Sequence, residues 1–178
     1  MGRNYTTDEY RELVTCAREV MPGVNITTDV MVGFPGETRE MFAMGLEFIR
    51  EMGFGRIHVF PYSRRRGTRA YYLEGQVDPQ EQNRRVAAVL EVAHASIQAF
   101  HRRFCGQTLE VLVESERDPG SGLLTGLTDN YIRVLFAGPE GLVGQLAPVE
   151  LTELQDEVVL GRLVSRERRH SRGTVTIN

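Results

Sequence analysis

Lysine is absent from the chain: all 21 positive charges among its 178 residues are arginine. Arginine suits phosphate and base recognition, because its planar fork donates in pairs and stacks on rings. A genome rich in GC codons makes the same replacement everywhere, so only the local arrangement of arginines is informative. Cysteine is scarce. Cys16 and Cys105 are too few for a disulfide scaffold, a four-cysteine zinc site or an iron–sulfur cluster. No apolar run approaches the roughly 18–20 residues of a membrane span, and the first residues lack the hydrophobic stretch of a signal peptide. A net charge of −3 argues against a uniformly basic nucleic-acid binder. At 41% hydrophobic and 25% charged, the composition is neither disordered nor collagen-like. A soluble, cytoplasmic protein with no membrane partner is expected, as one medium domain or two small ones.

What is present begins with a helix. Thr6 and Glu9 have capping-box spacing, Tyr10, Leu13, Val14, Ala17 and Val20 recur on one helical face, and Met21-Pro22-Gly23 ends the run. The β-branched segment from Asn25 to Val32 lacks alternation and predicts a strand buried on both faces. It runs into the tight loop Gly33-Phe34-Pro35-Gly36-Glu37-Thr38. A second helix is predicted from Arg39 to Met52 with Gly53 beyond its end, then a strand from Arg56 to Phe60 stopped by Pro61. This is the grammar of a parallel α/β sheet, but two strands cannot close a barrel. The segment therefore reads as the end of a larger α/β domain.

Asp78-Pro79-Gln80-Glu81 marks a third helix by N-cap, N1 proline and capping box together. Val86, Val89, Leu90, Ala93, Ile97, Phe100 and Phe104 form its stripe, and its length suits a connector between domains. Beyond Gln107 short strands alternate with turns. Segments 109–114, 131–136, 142–149 and 158–164, with a weaker one at 123–127, predict a small closed β-barrel. A loose basic tail follows Arg166.

Two loops could carry chemistry. The Gly33–Thr38 loop lets a ligand approach the backbone, and the N–H groups of the helix after it favour an anion. It is not a phosphate-binding loop of the Walker type, since the lysine and the spacing are missing. The second loop holds Tyr62, Ser63, Arg64, Arg65, Arg66 and Arg69. Five arginines and no acid lie between Arg56 and Arg69, and tyrosine beside arginines suits a phosphate backbone or an unstacked base. Both loops follow strands, so a parallel sheet puts them at the same end, where ligands bind. His58 reads as a packed mid-strand residue. His94, His101 and His170 have no metal spacing with Cys105. The β-module, at six arginines against eleven acids, cannot bind phosphate uniformly. Any RNA contact there needs a patch such as Arg162, Arg166, Arg168, Arg169 and Arg172.

The string from Ile26 to Thr38, with His58-Val59-Phe60-Pro61-Tyr62-Ser63 and Arg66-Gly67-Thr68, resembles the radical S-adenosylmethionine methylthiotransferases. Glu110 to Glu114 and Gly126-Leu127-Thr128-Asp129-Asn130-Tyr131 are similar to the TRAM domain of those enzymes. The resemblance implies an α/β fold in four parts. The last βα units of a radical-SAM partial (β/α) barrel fill residues 1–77 and a connecting helix 78–105. A small antiparallel β-barrel of the TRAM kind fills 106–170, and a tail 171–178. It implies a tRNA-modifying enzyme that places a methylthio group on C2 of an adenosine beside the anticodon, using S-adenosylmethionine twice. The motif forms look most like the branch acting on N6-threonylcarbamoyladenosine. The isopentenyladenosine branch and a non-catalytic RNA-binding module are the alternatives. By the family pattern, Gly33, Phe34, Pro35, Gly36, Glu37, Thr38, His58 and Phe60 border S-adenosylmethionine. Tyr62, Ser63, Arg64 and Arg66 face the sulfur or substrate region, and the TRAM barrel grips tRNA.

The family's CxxxCxxC motif and the cysteines of its second cluster do not occur here. The full-length enzymes of the pattern hold two 4Fe-4S clusters, and none is expected in this chain. It is expected to be an inactive C-terminal fragment. A missing barrel half would leave a sheet edge exposed, so a homodimer through that edge is also expected.

Overall fold

A computed structural model of the protein describes residues 4–165. α1 (Thr7–Val20) starts at the expected capping box, where Thr6 and Glu9 satisfy each other's backbone N–H groups. Its buried face is narrower than the periodicity suggests. Val14 is buried and Tyr10 packs beside it, while Leu13 and Val20 stand in solvent. α2 (Arg39–Met52) runs from an N-cap at Thr38 to Gly53, which takes the left-handed conformation a helix end favours in glycine. α3 (Pro79–Arg102) is capped by the Asp78 carboxylate, which accepts from the Gln80 and Glu81 N–H groups. Glu81 does not close a capping box; its carboxylate turns to Arg85 and Arg84 instead.

Strands β1 (Thr27–Val32) and β2 (Arg56–Pro61) pair in parallel, with Thr27 opposite Arg56 and Val32 opposite Pro61. The helices cover one face of this sheet. Val30, Val32, Ile57 and Val59 join Val14, Ile49, Met52, Phe54, Val89 and Val92 in a common core. The expectation that β1 is buried on both faces is wrong. Exposure alternates along it, and Asp29, Met31, His58 and Phe60 lie on an open face. His58 is therefore a surface residue and not a packed one. The reason is that only one side of this two-stranded sheet has helices against it.

The remaining strands are β3 (Thr108–Arg117), β4 (Leu124–Thr128), β5 (Arg133–Ala137), β6 (Leu146–Gln155) and β7 (Val158–Leu163). They close a barrel in the order β3-β4-β5-β7-β6. It is not wholly antiparallel as expected: β5 and β7 run parallel. β4 is the strand with the weakest sequence signal, yet nearly all of it is buried. Its Gly126 breaks the apolar pattern because a Cβ there would strike Val111 and the Leu112 backbone.

α3 ties the two halves together. By its 1.5 Å rise per residue it is about 36 Å long. Val89 and Val92 sit in the sheet core, while Phe100 and, just past the helix, Phe104 sit in the barrel core. Leu90, expected in the buried stripe, is exposed, and Val92 takes its place.

Candidate functional site

The parallel register puts the carboxyl ends of β1 and β2 side by side, and both loops leave from there. The Tyr62 N–H donates to the Val32 carbonyl at 2.8 Å, and the Phe34 and Tyr62 rings meet edge-on at 5.4 Å between centroids. Gln82, in the first turn of α3, closes the junction. Its Nε2 donates to the Tyr62 carbonyl at 3.0 Å and the Val32 carbonyl at 3.3 Å. Gly33 has a φ of +79°, and a Cβ there would come within 2.7 Å of Gln82 Nε2. Glycine is therefore required twice, by conformation and by space.

Glu37 holds the glycine loop together from inside. One carboxylate oxygen accepts from the Gly33 N–H at 2.8 Å and from Arg85 Nη1 at 2.8 Å. Arg85 also donates to the Glu37 carbonyl at 2.9 Å and, through Nε, to Glu81 at 3.1 Å. Burial by itself would lower the Arg85 pKa; the hydrogen bonds and charges of Glu37 and Glu81 outweigh it and hold the guanidinium more basic than usual. The Gly36 N–H is bonded to the Gly75 carbonyl at 2.8 Å. Thr38 takes up the Met41 N–H at the start of α2. The Glu40 carboxylate also settles there, its pKa lowered first by its own backbone N–H and then by the Thr38 hydroxyl. The open anion cradle expected at this helix start is thus filled by the chain's own groups. Glu37 is engaged in an ion pair with Arg85. Gly36 is exposed with free space around it, and the Tyr62 hydroxyl is buried without a partner.

Residues 63–69 of the arginine loop are all exposed. Arg64 folds back, with its guanidinium 4.3 Å from the Tyr71 ring centre and Nε donating to the Tyr71 carbonyl at 3.0 Å. Arg65, Arg66 and Arg69 form no ion pair among the described residues, and neither does Arg56. Arg18, Arg64, Arg102 and Arg103 also lack an ion pair among the described residues, while the other described arginines are matched with acids. Arg162 is one of these, with Glu150 at 2.5 Å, and its side chain is 74% exposed. Arg166, Arg168, Arg169 and Arg172 lie outside the described residues. Among the described residues no group of three or more His, Cys, Asp or Glu could hold a metal ion. No helix among them is long and apolar enough to cross a membrane.

Sequence reasoning missed Gln82 and Arg85. A signal existed for the arginine: Arg85, Val89 and Val92 keep the spacing of one helix face, which places Arg85 in line with the core. Gln82 gave none.

A two-stranded parallel sheet whose strand-end loops lie side by side is thus joined by α3 to a closed five-stranded barrel. A family model for the TRAM domain matches residues 102–164. The threonylcarbamoyladenosine tRNA methylthiotransferase MtaB of Bacillus subtilis (strain 168) is 35% identical over 153 residues, covering 85% of this chain and 34% of the relative. The tRNA-2-methylthio-N(6)-dimethylallyladenosine synthase of Pelotomaculum thermopropionicum is 38% identical over 152 residues, with coverage of 85% and 34%. That of Geobacillus thermodenitrificans is 37% identical over 169 residues, with coverage of 93% and 32%. Over 85–93% of its length the chain is thus homologous to these tRNA methylthiotransferases, and it spans about a third of the length of the curated relatives it matches.

Proposed function

We propose that this chain forms part of a tRNA methylthiotransferase, and that its two strand-end loops border the pocket where an adenosine beside the anticodon receives a methylthio group at C2. The observation that carries this reading is the convergence of a glycine turn with Arg65, Arg66 and Arg69, cations without acidic partners among the described residues, at one end of the sheet. The likeness to relatives named for this reaction and the TRAM match support tRNA as the partner.

The residues present fit one side of an S-adenosylmethionine site. Gly36 leaves the backbone approachable, the Tyr62 hydroxyl lacks a partner, and His58 and Phe60 stand on the open sheet face below. When bound, S-adenosylmethionine would supply a methyl group and, on reductive cleavage, hydrogen-abstracting chemistry. The exposed Cys16 and half-buried Cys105 do not fit a 4Fe-4S cluster. This chain's own share of the work is to bind and orient. Gln82 and the Arg85–Glu37 pair fix the loops, and the free arginines attract the nucleotide's charge.

Those arginines also favour N6-threonylcarbamoyladenosine as the substrate, because its side chain ends in a carboxylate whereas a dimethylallyl group offers a cation nothing. The 38% identity to a dimethylallyladenosine synthase favours the second reading. Mass spectrometry of tRNA nucleosides from cells lacking the parent gene separates them. Loss of the methylthio group from threonylcarbamoyladenosine is expected. Loss from the dimethylallyl form would select the second reading, and loss from neither would leave an RNA-binding module without chemistry. In parallel, tRNA binding by the chain should weaken steeply with salt. Combined Arg65→Ala and Arg66→Ala changes should cut it at least tenfold and flatten the salt dependence.

A further inference from the structure

The turn between β4 and β5 carries an anomaly of its own. Tyr131 has a φ of +64°, a conformation that bulky L-residues rarely adopt and that asparagine or glycine would adopt at less cost. Its ring is also 76% exposed, so packing does not compensate. Strain of this kind persists only where the surroundings over-determine it. Here they do. The Tyr131 N–H donates to the Thr128 carbonyl at 3.0 Å, and Thr128 Oγ1 accepts from the Ile132 N–H at 2.9 Å and donates to Asn130 Oδ1 at 2.6 Å. Ile132 is driven fully into the barrel core, which leaves the tyrosine pointing outward.

The same turn is stitched across to the sheet half of the molecule. Asn130 Nδ2 donates to the Gly23 carbonyl at 3.1 Å, and Asn25 Nδ2 donates to the Asn130 carbonyl at 2.9 Å. Tyr131 thus stands at the seam between barrel and sheet, in the wall of two adjoining clefts of about 590 and 520 Å³. The larger is lined by Arg56, Ile97, Leu127 and Arg133 as well as Tyr131, with His101 and Asn25 at its base. Two polar atoms of this lining, His101 Nδ1 and Asn25 Oδ1, are buried without hydrogen-bond partners. Arg56 has no ion pair among the described residues, and Arg133 shares Glu114 at 3.0 Å. A cleft of drug-like size with an exposed ring and two guanidinium groups is suited to an unstacked base and its phosphate.

We propose that the seam cleft is a nucleotide subsite in which an unpaired base of single-stranded RNA stacks on Tyr131, with Arg56 and Arg133 beside its phosphate. The assignment rests on the RNA-binding reading above and adds a second contact point, distinct from the strand-end loops. Fully paired RNA keeps its bases stacked inside the helix and has no use for the ring.

The test uses the full chain, an RNA hairpin with 2-aminopurine in its unpaired loop, and a fully paired duplex of equal length. Tyr131→Gly removes the ring and suits the backbone conformation, so it should fold at least as stably, as a thermal melt would verify. It should weaken hairpin binding about tenfold or more and abolish the 2-aminopurine quenching, with duplex binding unchanged. Tyr131→Phe should retain both affinity and quenching. Hairpin affinity and quenching unaltered in Tyr131→Gly, or an equal loss on hairpin and duplex, would overturn the subsite. If hairpin binding instead depends on Arg65 and Arg66 but not on Tyr131, the subsite alone falls. If the unaltered chain binds neither RNA, the RNA-binding reading falls with it.

Discussion

His101 sits at the end of α3, almost fully buried beside the barrel, and burial pushes its pKa below the ordinary imidazole value despite a hydrogen bond with the Glu157 backbone. The folded chain therefore resists protonating a group that the unfolded chain protonates near pH 6.5. The unfolded state binds more protons in that range, so stability is whole above pH 6.5 and declines as pH falls toward the depressed folded pKa. The melting temperature should drop between pH 7.5 and 5.5, and His101→Gln should shrink that drop. An unchanged pH profile in the variant would show that the carboxylates alone carry it. Glu37 illustrates the converse at the same scale. Its residue type and loop position suggest a ligand contact, and its actual partners, the Gly33 N–H and Arg85, make it an internal strut.

Between elements, the decisive contact is the one from the second turn of α3 to the loop between β1 and α2. Arg85, with 5% of its side chain exposed, is the sole basic partner of Glu37 among the described ion pairs. Arg85→Ala would leave a carboxylate largely buried and uncompensated. Breaking a fully buried pair costs about 3–5 kcal/mol; because Glu37 keeps 21% exposure, roughly 2–3 kcal/mol is expected. Urea denaturation measures that loss. The Gly33 amide, deprived of a fixed acceptor, should exchange faster with solvent than in the parent chain. The paired helices were legible here and the contact was not. Thr38, Gly53 and Asp78-Pro79 act on N–H and C=O groups within four residues, whereas the Arg85–Glu37 pair spans 48 positions.

Over the whole molecule, α3 is a strut with one end in each core, and the Asn25–Asn130 stitch braces it at the seam. Such an arrangement couples the strand-end loops to the barrel, and the chain should unfold in one transition. Ser96 lies between the two cores and its hydroxyl bonds the Phe54 carbonyl. Ser96→Pro would remove that bond and break the helix where it bridges, at a cost of about 3 kcal/mol or more. Thermal unfolding of the variant should split into two steps, one for sheet and one for barrel. A single lowered transition would mean that the seam contacts suffice without the strut.

The amino-acid order alone determined where α1 and α2 start and stop, where α3 starts, and that two loops follow parallel strands at one sheet end, since caps, turns and periodicity act over a few neighbouring residues. The barrel strands β5 and β6 begin at Arg133 and Leu146, later than the segments 131–136 and 142–149 expected for them. Only the tertiary structure decided which arginines remain free, that one sheet face stays open, that β5 and β7 run parallel, and that Tyr131 is held out at the seam. Those outcomes depend on partners dozens to more than a hundred positions away, as the 107-residue separation of Asn130 from Gly23 illustrates. Local pattern carries no record of such distances; packing sets them.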